Sequence, residues 1–100
     1  MRYRGEVFWA WADPELKHHS HEELLSDGAY LDVQVRLSRC GDTQLFIGIY
    51  EPSGLVRFEE AYHTRPNQTL TRAMVWGACR GRELARRASL SRRTGLTNSE

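Results

Sequence analysis

The sequence predicts an α+β domain: an antiparallel β-meander of three or four strands with one long C-terminal helix packed on a face, and room for a short helix between the first two strands. Three observations predict it. Residues 30–63 carry apolar alternation broken by Cys40-Gly41-Asp42 and Glu51-Pro52-Ser53-Gly54, which have the composition of tight turns. Residues 68–88 then change to helical periodicity. Within that helix Ala73, Gly77, Gly81 and Ala85 recur every four positions, so small residues stack along one side. Two interior glycines cost about 1 kcal/mol each relative to alanine. A helix backbone lying unusually close to a sheet of bulky side chains would offset that cost.

The elements follow in chain order. Residues 6–12 are β-branched and aromatic and read as a first strand, apolar on both faces because Val7, Trp9 and Trp11 alternate with Phe8, Ala10 and Ala12. Such a strand wants cover on both sides or a second chain on its edge. Asp13-Pro14-Glu15 and Ser20-His21-Glu22-Glu23 both have the form of helix starts. A short helix or irregular loop is therefore expected between Pro14 and Ser26; the competing reading makes Asp27-Gly28 a hairpin turn. From Tyr30, Leu31, Val33, Val35 and Leu37 alternate with Asp32, Gln34, Arg36 and Ser38, a strand with one buried and one wet face. Gln44 to Glu51 is apolar on both sides and should be central. Leu55 to His63 returns after the Pro52–Gly54 turn, with a bulge expected where the alternation falters at Glu59-Glu60. Arg65-Pro66-Asn67 breaks that strand, and Asn67 or Thr69 caps the long helix. Its main inward face is Leu70, Ala73, Met74, Gly77, Gly81, Leu84, Ala85 and Ala88. Residues 1–88 read as one domain and 89–100 as a flexible Arg-, Ser- and Thr-rich tail.

Composition bounds the class. Hydrophobic residues at 40% and charged residues at 27% over 100 residues suit one soluble domain with one core. No run approaches the roughly 18 apolar residues of a membrane span. The segment after Met1-Arg2-Tyr3-Arg4 is too short for a secretory leader core, so the expected location is the cytoplasm. Cys40 and Cys79 sit in no metal or redox spacing and read as free thiols. The net charge of +1 hides a polarity: residues 1–63 hold 6 basic against 11 acidic groups, and residues 64–100 hold 8 against 2. Charge so divided allows self-association or an acidic partner.

Candidate sites follow from the same reading. His18, His21 and Glu22 could share a metal if His18 and Glu22 lie one helical turn apart, but no HExxH pattern occurs and a solvated polar loop is the expectation. No cofactor is expected, nor catalysis: there is no GxSxG, phosphate-binding glycine loop or CxxC pair, and nothing brings His63 and Cys79 together. Arg80, Arg82, Arg86, Arg87, Arg92 and Arg93 form a basic end that could grip nucleic acid without reading its sequence. Arg86-Arg87-Ala88-Ser89-Leu90 resembles the basic recognition motif of cyclic-nucleotide-dependent kinases, on five residues alone. Phe46 and Tyr50, with Phe8, could present aromatics to bases, although cover by the Pro14–Ser26 segment or a second subunit is the expectation. Val75, Trp76 and Cys79 lie off the helix's inward face, making it apolar nearly all round. Together with Trp9 and Trp11 they point to a protein-interaction module, a homodimer; the weak electrostatic nucleic-acid binder is the alternative.

Overall fold

Residues 3–97, which the computed structural model describes with side chains for residues 3–88, form six elements. These are α1 (Glu6–Trp11), β1 (His18–Leu24), β2 (Tyr30–Leu37), β3 (Thr43–Tyr50), β4 (Val56–Tyr62) and α2 (Leu70–Thr97). The strands make one antiparallel sheet in the order β1-β2-β3-β4, a pure meander, and α2 lies across one face of it. The predicted fold class is the observed one.

Beneath α2, Leu31, Val33 and Val35 of β2 stand beside Leu45, Ile47 and Ile49 of β3, all of them fully buried or nearly so. The small residues of α2 meet them. Ala73, Gly77, Gly81 and Ala85 are buried, and a Cβ at Gly77 would stand 2.8 Å from Val33 Cγ1 and 2.9 Å from Leu45 Cδ1. A Cβ at Gly81 would collide with Leu31 Cδ1. The glycines thus let the helix backbone rest directly on branched side chains, each of which gains roughly 1.5–3 kcal/mol from burial. Thr69 caps the helix: its Oγ1 accepts the Arg72 N–H at 3.1 Å, while Asn67 takes a left-handed φ of 62° in the turn before it.

Three elements depart from expectation, the first of them on the face of the sheet opposite α2. Residues 6–12, expected as a strand, instead form helix α1 over Glu6–Trp11 with Ala12 as its extended C-cap. In α1 Phe8 and Trp11, three residues apart, project together onto Phe46, with ring centroids 5.2 and 5.7 Å away; a strand would send them to opposite faces. The Glu59 carboxylate fixes the helix start by accepting the Gly5 N–H at 3.0 Å and the Phe8 N–H at 3.2 Å. The expected helix or loop between Pro14 and Ser26 is instead mostly β1, and Asp27-Gly28 lies in its hairpin loop, with φ of 90° at Gly28. Asp13-Pro14-Glu15 makes a turn in which Asp13 Oδ1 accepts the Glu15 N–H. Local signals for a helix lose here because β2 offers seven residues of ladder to an otherwise polar segment. Finally, the irregularity in β4 falls at Arg57, opposite the Ile49/Tyr50 step, and Glu59 and Glu60 pair regularly with Gly48 and Ile47.

Nor is that face wet. Asp32, Gln34 and Arg36 are buried, as are Phe46 and Tyr50, because residues 4–11 cover them. Arg4 reaches in to donate to Asp32 Oδ2 at 2.6 Å and to the Tyr50 hydroxyl oxygen at 3.0 Å. Tyr50 donates to Glu59 Oε2 at 2.6 Å, and Gln34 Nε2 donates to Asp32 Oδ2 at 3.1 Å. Burial, reinforced by the Glu59 bond, pushes the Tyr50 hydroxyl well above its ordinary pKa. Arg36 lies 3.8 Å from the Trp11 ring centroid and donates to Gln44.

Two outcomes are expected. Gly81→Ala should lower stability in urea by about 1–2 kcal/mol, although helix propensity alone would raise it by about 1 kcal/mol, because the added methyl strikes Leu31. Arg4→Ala should lose about 3 kcal/mol by leaving the Asp32 carboxylate buried and uncompensated, and Asp32→Asn in the same background should recover part of it.

Candidate interaction surface

The two flanks of α2 differ. On the β4 flank the helix is tied down: Trp76 meets Tyr62 edge-on, ring centroids 5.5 Å apart, with the Arg65 guanidinium 4.0 Å from its centroid. Arg80 forms a two-pronged pair with Glu60, its Nη2 donating to Oε2 at 2.9 Å. On the β1 flank α2 lies mainly over β2 and β3 and touches the edge strand only lightly. A groove of about 400 Å³ lies there, lined by His19, Val35, Leu70, Thr71, Met74 and Val75. A smaller hollow of about 180 Å³ continues it past Met74 and Val75 to His21 and Ala78, and Arg82 closes it. Val75 is 60% exposed. Arg82 spans the groove's far end, donating to Glu23 at 2.7 and 2.8 Å.

The alternation of β1 sorts its polar groups. His19, His21 and Glu23 share the α2 side of the sheet, since they oppose Val35, Val33 and Leu31 in register. His18, Ser20 and Glu22 share the other side. The strand therefore separates His21 from His18 and Glu22, the three candidate metal ligands, which a helix would have placed within about a turn. His21 sits instead 3.0 Å from Glu23. Among the described residues no group of three or more His, Cys, Asp or Glu side chains is placed to hold a metal ion.

The remaining sequence candidates fall as follows. Trp11 is buried against Phe46 and Arg36, and Trp76 is half-buried against Tyr62, so both are covered within the chain. Trp9, 66% exposed, projects from α1 on the far side of the sheet from Val75 and Cys79. Cys79 and Cys40 are exposed free thiols. The aromatic face of Phe46, Tyr50 and Phe8 is closed by residues 4–11, as described above. Of the basic end, Arg80 and Arg82 are held by Glu60 and Glu23, and Arg86 and Arg87 both pair with Glu83 one turn back. Phosphate contacts by these four would have to displace carboxylates of the same chain. The side chains of Arg92, Arg93 and Ser89, and of the 89–100 tail in general, lie outside the described residues. Among the described residues no helix is long and apolar enough to cross a membrane.

What sequence reading missed is β1 itself and the surface it creates. The signal was present but faint: Ser20-His21-Glu22-Glu23 fits a capping box, yet no apolar residue between His18 and Glu23 follows a helical period.

No protein-family model matches the chain, and no curated protein or solved structure is similar to it at a significant level.

The electrostatics of the groove are testable. The Arg82 guanidinium, with His21 beside it, holds the Glu23 carboxyl down to about 2. A carboxyl whose folded pKa is depressed contributes stability that is present above its unfolded value, near 4.3, and lost as pH falls through the folded one. Carboxyl-carbon NMR titration should place Glu23 as the more acidic glutamate of β1, and Arg82→Ala should move it up by roughly half a unit. Because the pair is partly exposed, the matching change in stability between pH 4.5 and 2 should stay below about 1 kcal/mol.

Proposed function

We propose that the chain is a non-catalytic protein-interaction module that associates with itself through the side where α2 overlooks β1. One observation carries this reading. An apolar strip on α2, centred on exposed Val75 with Met74 and Leu70, lies open beside a sheet edge that has no neighbour among the described residues. The open strand edge offers unmade backbone hydrogen bonds to a second copy, and the apolar strip walls the groove beside that edge. The divided charge favours the same outcome, since an acidic first part and a basic second part of two copies attract.

A catalytic reading draws less support. The buried polar groups Arg4, Asp32, Gln34, Tyr50 and Glu59 are explained by the hold they give residues 4–11 on the sheet. The nucleic-acid alternative rests on arginines that are engaged where their side chains are described. Cytoplasmic location is part of the proposal.

Light scattering across a sizing column tests it. The expected mass at about 100 µM is twice the 11.6 kDa of the chain; a monomer throughout that range would overturn the reading.

A further inference from the structure

Resting on the self-association just proposed, we infer that two copies join edge to edge through β1 in one register, with His21 facing His21 of the second copy across a two-fold axis. The two sheet edges are not equivalent. β4 is interrupted at Arg57, and the Glu59 carboxylate beyond it is occupied by α1. β1 is seven regular residues, His18 to Leu24, with no bulge, proline or lysine, the usual devices that blunt an edge.

The hydrogen-bond parity of that edge is fixed by the hairpin. Leu25 donates its N–H to Ala29 O at 2.8 Å, and the pairing continues in register as Glu23 with Leu31, His21 with Val33 and His19 with Val35. In an antiparallel ladder every second pair is hydrogen-bonded, so the odd-numbered residues of β1 spend their backbone groups on β2. His18, Ser20, Glu22 and Leu24 therefore turn their N–H and C=O groups outward. A second strand must bond to these four.

Charge then selects the occupant and the register. The strand His18-His19-Ser20-His21-Glu22-Glu23-Leu24 has its histidines at one end and its glutamates at the other. An antiparallel copy centred on His21 opposes His18 to Leu24, His19 to Glu23 and Ser20 to Glu22. All seven residues pair, about eight backbone hydrogen bonds form, and no glutamate faces a glutamate. Sliding the copy so that it centres on Glu22 or Glu23 sets like charges directly opposite, which is destabilising in a cross-strand pair. A parallel copy is equally poor, because its histidines and glutamates run alongside their equals. A copy centred on Ser20 would pair only His18 to Glu22, five of the seven strand residues, so the His21 register combines full overlap with unopposed glutamates.

The axis stands perpendicular to the sheet, so both α2 helices share a face of an eight-stranded sheet. With strands about 4.8 Å apart and α2 lying over β2 and β3, the two helices stand about 19 Å apart, twice the spacing of packed helices. Val75 of each copy then lines a common cleft floored by His19, His21 and Glu23 and does not touch its counterpart.

Cross-linking and two substitutions test this arrangement. In a Cys40→Ser, Cys79→Ser background, His21→Cys should form an intermolecular disulfide under mild oxidation, because the pair at the axis is not hydrogen-bonded and its Cα atoms lie within disulfide reach. Ser20→Cys should not, since the two sulfurs are then two residues out of step. Ser20→Pro removes an outward N–H without touching the ladder to β2, and should weaken the dimer at least about tenfold with the circular dichroism unchanged; the cross-link does not depend on that variant folding. Val75→Arg should leave the dimer intact. A dimer that survives Ser20→Pro, is lost on Val75→Arg and gives no His21→Cys disulfide would join through its helices: the edge pairing would be overturned while self-association stands. A disulfide through Ser20→Cys in place of His21→Cys would overturn the register. A monomeric native chain would end both proposals.

Discussion

The close seat of α2 on the sheet is the constraint from which the rest of the molecule follows. Gly77 and Gly81 replace a layer of side chains with bare backbone, so Leu31, Val33 and Leu45 pack directly on the helix backbone. A helix so close needs a narrow sheet footprint, and α2 finds it over the two central strands. Its flanks must then be fixed by long side chains reaching outward and down. Trp76 and Arg80 do this toward β4, with Arg65 of the preceding connection laid over the Trp76 ring, and Arg82 does it toward β1. The flanks differ in what opens beside them: a hollow of about 250 Å³ bordered by Trp76, Arg80 and Leu84 on the β4 side, and the larger groove of about 400 Å³ bordered by Leu70, Met74 and Val75 on the β1 side.

A second consequence lies on the far face. With one long helix committed to one side, the central strands still carry Phe46 and Tyr50 on the other, and a chain of this length has little left to cover them. Residues 4–11 supply the cover, but six helical residues cannot hold themselves in water. The sheet holds them: Glu59 caps α1, Arg4 is drawn into Asp32 and Tyr50, and Phe8 and Trp11 grip Phe46. This arrangement leaves Asp32 Oδ1 and the Trp11 Nε1–H buried with no hydrogen-bond partner among the described residues. Each costs about 1–3 kcal/mol, and the aromatic packing and the Arg4 pair must exceed it.

How much of this was legible in the sequence depends on where each segment's structure is decided. The β2–β3–β4 meander and α2 were readable because alternation, turn residues and the small-residue repeat all act within a few positions of one another. The cap at Thr69 and the burial of Ala73, Gly77, Gly81 and Ala85 belong to the same class. The first 26 residues were misread because their structure is decided at long range. Residues 7–12 are apolar on every side and compatible with either period; Glu59, more than 45 positions away, settles the matter by capping a helix. Residues 18–24 carry helix-start chemistry, yet the free edge of β2 claims them. The bulge moved for a related reason: Arg57 is held by Glu51 and Asp27 across the hairpin ends, and polarity within β4 says nothing of that. The interaction surface inherited these errors, since Trp11 proved to be cover for the sheet and β1 was absent from the sequence reading.

The groove and the edge are consequently two views of one economy. A helix seated over β2 and β3 can protect a four-stranded sheet on one flank by side chains, and here that flank is β4, whose ladder is also broken by a bulge. The other flank must be protected by the content of the strand itself. Segregating histidine from glutamate along β1 does so selectively, because a copy centred on Glu22 or Glu23 sets glutamate against glutamate while the copy centred on His21 sets His19 against Glu23. Opposed like charges of this kind do not close an edge; they narrow what can add to it. The apolar wall of α2 gains from the same arrangement. Left on a monomer, Val75 and Met74 are open to any apolar surface. Set about 19 Å from their counterparts across a shared floor, they face a cleft roughly as wide as one helix, where access is limited by shape as well as by hydrophobicity.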